Sequence, residues 1–370
     1  MKSLVITICL AFYALCLTGC GGDASNRHIR TEISSPDTIK LIFAGDVMGH
    51  SVQTKAAWRE GGDSIYIYDP VFQWIKKYIS EADIAIANLE VTFAGAPYQG
   101  YPTFSSPVQL ATSLQHTGFD VLMTANNHTL DHHVKGLERT IDVLDSLGIA
   151  HTGTFKDAAS RQETYPLIIE RKGIRLAFLN YTYGTNMPPE QPPAIVNCID
   201  TLQMAVDLAN ARKLAADFII ACLHWGNEYQ TKENEYQRQV AGFLARNGCN
   251  LIVGAHPHVI QPIKKVDNQM VDSVLVAYSL GNFVSNQRWR YSDGGIMLEV
   301  NLIKTDSITT LDSFRYEPFW VYRYPANNAQ VYRLIPVDDY LNHPESFPTL
   351  NSADEKKLLQ FYEDTKGIIR

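Results

Sequence analysis

The amino-acid sequence predicts an α/β fold, a sheet with helices packed against its faces. Two observations predict it. Short β-branched apolar runs alternate with segments whose apolar residues recur at helical spacing. Five of the runs also end in polar residues of the kind that bind metal or phosphate. Residues 39–43 lead into Ala44-Gly45-Asp46, and residues 84–87 into Asn88-Leu89-Glu90. Residues 121–124 precede Asn126-Asn127-His128, and residues 218–223 precede His224-Trp225-Gly226. Residues 251–253 precede Gly254-Ala255-His256-Pro257-His258. Ligands of α/β sheets bind outside the carboxyl ends of the strands, which is where these clusters fall.

The start of the chain is of another kind. Lys2 is followed by an uncharged apolar run, residues 4–17, and then by Leu17-Thr18-Gly19-Cys20. The run is shorter than the roughly 20 apolar residues that span a bilayer, so residues 1–19 read as an export signal. Their ending resembles a lipobox, after which bacteria cleave and acylate the new terminal cysteine, here Cys20. Acyl chains there would hold the protein to the membrane without a spanning helix. Residues 20–37, small and polar, read as a tether. The expected location is the cell envelope, lipid-anchored and facing the periplasm or the exterior.

The 370 residues are 45% hydrophobic and 19% charged, ordinary values for a globular chain. A net charge of −7 with no basic stripe speaks against nucleic acid as a partner. Beyond Cys20 stand Cys198, Cys222 and Cys249, an odd number without C-x-x-C spacing. That argues against a disulfide framework or a thiolate metal site. Cys222, inside an apolar run, reads as a small core residue.

Helical spacing appears at Leu137, Ile141, Leu144 and Leu147, stopping at Gly148. It returns at Leu202, Val206, Ala209 and Leu214, and at Val240, Phe243 and Leu244 before Gly248. Residues 167–169 and 174–179 flank Arg171-Lys172-Gly173 as a hairpin. Residues 274–278 and 296–300 read as further strands, and residues 188–193 as a proline-rich loop. The main domain is expected over 38–305. Residues 306–370, with strand-like pieces at 319–324 and 331–335, are expected as a β-rich C-terminal extension, either added to the core or a small subdomain.

Each cluster has its own chemistry. His256 and His258 reach one site if the chain turns directly after its strand, and without sulfur they suit Zn, Mn or Fe. Asp46 suits a hard cation, or is a turn residue. Asn127-His128 offers an amide oxygen and an imidazole side by side, or a turn. Asp131 either orients an imidazole or caps a helix starting near His133, and Glu228 is a second candidate for orienting imidazoles. His50, four residues past Asp46, is a candidate extra ligand. Trp225 is a wall of the site or part of the core. Tyr278 and Asn282, in Tyr278-Ser279-Leu280-Gly281-Asn282-Phe283, shape the rim or end a hairpin.

The ordered series Gly45-Asp46, Asn88-Leu89-Glu90, Asn126-Asn127-His128 with Asp131, His224-Trp225-Gly226, Ala255-His256-Pro257-His258 and Tyr278–Phe283 resembles the bacterial capsule-synthesis CapA family of poly-γ-glutamate (PgsA-like) biosynthesis proteins. The resemblance covers roughly residues 39–300. It implies a four-layer αββα sandwich related to calcineurin-like metallophosphatases. It also implies Asp46, Glu90, Asn127, His128, His224, His256 and His258 as ligands of one or two divalent ions (Mn, Zn or Fe), with Asn127 and His128 in catalytic roles and Asn127 and Asp46 bridging or orienting. Two departures stand out: Met48 replaces the His of the first Asp-x-His motif, and Asn88 and Glu90 replace a Gly-Asp pair. The resemblance implies hydrolysis or transfer at a phosphoester or γ-glutamyl bond, or alternatively a scaffold for polymer export. The implied partners are capsule polymer or its precursor and membrane proteins of polymer synthesis.

Overall fold

A computed structural model describes residues 37–188, 193–268, 273–326 and 329–369. The expected export signal, Cys20 and the tether up to residue 36 lie outside the described residues, as do residues 189–192 of the proline-rich loop. Among the described residues no helix is long and apolar enough to cross a membrane.

Two sheets carry the architecture. The eight-stranded sheet runs, in spatial order, Ala329–Pro336, Ile308–Ala326, Gly294–Thr305, Asp37–Val47, Ile84–Leu89, Val121–Met123 and Ala150–Thr152, with Asn282–Val284 beside Asp37–Val47. The six-stranded sheet runs Ile263–Asp267, Ser273–Ala277, Leu251–Ala255, Phe218–His224, Ile174–Thr182 and Leu167–Arg171. Neighbours from Asp37–Val47 to Ala150–Thr152, and from Ser273–Ala277 to Ile174–Thr182, are parallel. Antiparallel strands flank both sets.

The apolar runs are continuous because both faces of each central strand are buried. Leu41, Phe43, Ile86 and Met123 of the first sheet meet Leu176, Phe178, Ile220, Cys222 and Val253 of the second. The alternate residues Ile42, Ala44, Ala85 and Ala87 face outward against Ala57, Leu110, Leu114 and Leu144. Those four come from helices Ser51–Glu60, Gln109–Thr117 and His133–Leu147. On the far side, Leu179, Ala221 and Leu223 pack on Met204, Leu208, Val240 and Leu244 of helices Thr201–Lys213 and Glu235–Arg246. The layers are therefore helix, sheet, sheet, helix.

Local signals set the helix ends. Asp200 accepts from the Leu202 amide at 2.8 Å, and Asn234 accepts from the Gln237 amide at 2.9 Å. Gly148 ends its helix in the left-handed conformation, φ +66°.

The strands of the tail are added to the core, one of the two expected arrangements, and its last part is not β. Its strands Ile308–Ala326 and Ala329–Pro336 are the outer strands of the first sheet, and Ser352–Ile369 is a helix. Leu358 and Phe361 of that helix join Trp320 and Tyr322 in the core. Only the first half of residues 306–370 is β.

Candidate metal centre

Strand alternation brings the polar residues inward. In Ile84–Leu89, Ile86 faces the second sheet and Ala87 the helices, so Asn88 and then Glu90 turn inward again. Asp37–Val47 would send Asp46 outward, because Ala44 already faces the helices. An irregularity in the pairing between Ala44 and Asp46 adds one residue and reverses this. Gly45 is required there: a Cβ would stand 1.9 Å from the Gly281 carbonyl oxygen. In the second sheet His224 follows Cys222 inward.

After Leu251–Ala255 the chain turns sharply, with φ +99° at His256 and +59° at His258. Such backbone costs on the order of 1–3 kcal/mol per residue outside glycine. It lets both imidazoles reach the same centre. The His256 amide donates to Asp46 Oδ1 and Oδ2 at 3.2 and 3.3 Å, holding the turn. Asn282 donates to the His258 carbonyl at 3.2 Å and to the Ser292 carbonyl at 2.8 Å. Its role is to brace the histidine turn.

Two groups of three ligands result. Glu90, His224 and His256 form one, and Asp46, Glu90 and His258 the other, with the ligand atoms of each within 4.8 Å of one another. Glu90 belongs to both. Its Oε1 lies 3.5 Å from His224 Nε2 and 3.7 Å from His258 Nε2. Asn88 Nδ2 donates to Asp46 Oδ1 at 2.8 Å and stands 3.3 Å from His224 Nδ1, fixing both. Asn127 Oδ1 is 3.0 Å from His224 Nε2, at the edge of the first group.

The electrostatics are those of a site built for a cation. Burial, then the neighbouring Asp46 charge, pushes the Glu90 carboxyl well above its ordinary value. Burial would raise Asp46 too, but hydrogen bonds from His258 and Asn88 and the charge of His258 hold it below the usual range. Burial lowers His256 to about 3 and His224 well below its ordinary value, so both imidazoles keep free lone pairs at neutral pH. Glu90 Oε1 and His256 Nδ1 are buried without a hydrogen-bond partner. Leaving such atoms unpaired is costly, and a divalent cation would supply the missing partner. The nitrogen and oxygen donors suit Mn, Zn or Fe.

Several expected residues fall elsewhere. His128 enters neither ligand group. Its Nδ1 donates to Asp131 Oδ2 at 2.7 Å, and the same oxygen accepts from the Phe104 amide at 2.6 Å. Asp131 therefore orients an imidazole and does not cap the next helix, whose N-cap is His132. Glu90, not Asp46, is the carboxylate shared between the two groups. His50 stays out of both: it begins the helix Ser51–Glu60, with Nδ1 3.0 Å from Gln53 Oε1. Trp225 takes the second of its two expected places, the core, and Tyr278 packs there with it. Trp225 follows inward-facing His224, so it points outward, donates to the Tyr278 carbonyl at 2.9 Å and stacks on that ring. Both pack in the outer layer of the second sheet. Glu228 is exposed and hydrogen-bonds Tyr229 rather than an imidazole.

Two further residues at the site carry no strand-end signal. Tyr183 and Asn186 follow the strand Ile174–Thr182, whose sequence reads as a hairpin arm. The Tyr183 ring lies 4.7 Å from that of His256, and Asn186 Nδ2 is 3.5 Å from both nitrogens of His128.

Residues 40–287 match the family model described as bacterial capsule synthesis protein PGA_cap. The PGA biosynthesis protein CapA of Bacillus subtilis (strain 168) is 27% identical over 353 residues, covering 91% of this chain and 87% of its own. The capsule biosynthesis protein CapA of Bacillus anthracis is 27% identical, covering 74% of this chain and 67% of its own. Among solved structures, the calcineurin-like phosphoesterase YfkN of Bacillus subtilis is similar, with a TM-score of 0.47 and 13% identity, covering 90% of this chain and 98% of that one. The match over residues 40–287, two thirds of the sequence and every ligand named above, places this chain in the bacterial capsule synthesis protein family.

Proposed function

We propose that this protein is a metal-dependent hydrolase or transferase of the cell envelope, acting on a phosphoester bond of a capsule polymer or its precursor. The observation that carries the proposal is Glu90, shared by two ligand groups beside an imidazole that belongs to neither. A bound divalent cation would polarise the scissile group and acidify a water. The rest is the work of the protein. Asp46, Glu90, His224, His256 and His258 hold the cation, and Asn88 keeps two of them in place. Because Asp131 accepts the hydrogen bond of the His128 Nδ1–H, Nε2 remains to exchange a proton with the leaving oxygen. A γ-glutamyl amide is the alternative substrate bond. Acylated Cys20 would anchor the protein, and membrane proteins of polymer synthesis would be its neighbours.

A second reading, a polymer-binding scaffold for export, draws on Met48. That side chain is buried and offers no cation ligand where the family resemblance implies a histidine. His50 does not replace it.

One experiment separates the two readings. Residues 21–370 and the His256→Ala/His258→Ala variant are compared for bound metal and for turnover of a generic phosphodiester and of γ-glutamyl peptides. The enzyme reading expects bound metal and turnover in the first and neither in the second. Bound metal without turnover of any of these would support the scaffold.

A further inference from the structure

The segment Tyr183-Gly184-Thr185-Asn186 runs from beside His256 to beside His128, and its backbone is tied down without help from two of its side chains. The Tyr183 amide donates to the His224 carbonyl at 2.9 Å, and the Asn186 amide donates to the Asn127 carbonyl at 2.7 Å. Thr182 Oγ1 donates to the Gly184 carbonyl at 2.9 Å, and Thr185 Oγ1 to the Met187 carbonyl at 2.7 Å. The segment is thus fixed to one metal-ligand strand and to the Asn127-His128 turn by main-chain and threonine bonds.

The side chains of Tyr183 and Asn186 are both exposed. The Asn186 amide nitrogen sits 3.5 Å from Nδ1 and Nε2 of His128 alike, too far for a well-formed bond to either. His128 Nδ1 is in any case committed to Asp131. Asn186 therefore has unspent donor hydrogens beside the imidazole. At the other end of the segment, the Tyr183 ring is tilted against that of His256 with centroids 4.7 Å apart, and its hydroxyl reaches the Asn127 side chain. Among the described residues, the hydrogen bonds and ion pairs of Asp46, Glu90, His128, His224, His256 and His258 include no lysine or arginine. At Tyr183 and Asn186 an anion meets neutral donors rather than a guanidinium.

We propose that the Tyr183 hydroxyl and the Asn186 amide are the substrate-gripping donors of this site, binding the non-coordinated oxygens of a tetrahedral phosphate-type group held against the metal centre. The inference rests on the phosphoester reading above and extends it from the metal ligands to the residues that touch substrate. Neutral donors hold an anion without forming a salt bridge that must be broken at release, and Asn186 places the group within reach of His128.

The test uses the full-length protein, titrated first with Mn²⁺ and then, once loaded, with inorganic phosphate. Binding of Mn²⁺ and of phosphate is measured by titration calorimetry for the wild type, Tyr183→Phe, Asn186→Ala and Asn186→Asp. Each loss of a donor to a charged ligand is expected to weaken phosphate binding by about 10-fold, and Asn186→Asp by more, through repulsion. Mn²⁺ affinity is expected to stay within about 2-fold of the wild type, as both side chains are exposed while the ligand carboxylates and imidazoles are buried. Phosphate binding unchanged in Tyr183→Phe and Asn186→Ala would overturn the inference and leave the phosphoester reading standing. A wild type that binds Mn²⁺ but no phosphate would overturn both. Loss of Mn²⁺ binding in the variants would also overturn it, by showing that these residues hold the ligands instead.

Discussion

His128 and Asp131 are joined by a 2.7 Å hydrogen bond from Nδ1 to Oδ2, inside a turn that buries both side chains. A carboxylate can only accept, so the bond places the proton on Nδ1 and leaves Nε2 for chemistry. Asp131→Asn keeps the shape but can present an amide nitrogen to His128, and the tautomer is no longer imposed. Turnover of a phosphodiester is expected to fall by about 10–100-fold. Metal content should not change, because His128 stands outside both ligand groups. Parallel metal analysis and steady-state kinetics check this; a loss of metal in step with activity would place His128 among the ligands.

Glu90 sets a proton against a cation. In the metal-free protein burial and Asp46 raise its carboxyl, so the folded chain keeps a proton that the unfolded chain gives up. Metal-free stability therefore declines as pH rises from the ordinary glutamate value toward the raised one. Metal binding should release that proton, and affinity should rise with pH. Calorimetry in buffers of different ionisation enthalpy measures the release. Glu90→Gln is expected to abolish binding at both ligand groups and to make the metal-free protein more stable than wild type at pH 8 but not at pH 4. A variant that still binds one equivalent of metal would contradict the shared role.

The strand ends were legible in the sequence for a physical reason. Runs such as residues 218–223 are apolar without a break because sheet and helix cover both their faces, so a terminal His224 stands out against them. The orientation of each neighbour was legible too, in the two-residue period that sends Trp225 away from His224, although a motif-level reading of His-Trp-Gly overlooks it. Asp46 was harder. Its inward direction depends on the pairing irregularity beside Gly45, which a period of two does not predict. Tyr183 and Asn186 carried no signal, since Tyr-Gly-Thr-Asn after a strand reads as any turn. The C-terminal helix had a signal in Leu358, Phe361 and Thr365, but the aromatic strand-like pieces before it suggested a β-rich tail.

The strained turn at His256 predicts a trade between stability and function. A residue with φ +99° is tolerated in exchange for its imidazole, and glycine alone adopts it without cost. Metal-free His256→Gly should accordingly be more stable than metal-free His256→Ala by about 1 kcal/mol. Both should lose the stabilisation that metal gives the wild type. Denaturant melts of the three proteins, with and without Mn²⁺, measure both effects. Equal stability of the two variants would mean that the turn relaxes and stores nothing.

A last prediction lies far from the metal, at Glu317 on the strand Ile308–Ala326. Burial, then the charges of Asp338 and Asp339, raises its carboxyl to about 8, and its Oε1 is buried without a partner. The folded chain keeps the proton on Glu317 where the unfolded chain, ionising near the ordinary glutamate value, has already lost it. This makes no difference to stability at pH 4, where both states are protonated. As pH rises from about 4.5 to about 8 the unfolded state gains ground, and above that the native state carries an ionised, poorly solvated carboxylate facing two others. Glu317→Gln removes the ionisation and keeps the shape. It should leave the melting temperature unchanged at pH 4 and raise stability at pH 8.5 by on the order of 1–2 kcal/mol, reduced by the solvent that reaches the group. Thermal melts across that range test it, and an equal gain at both ends would assign the effect to packing, not to charge.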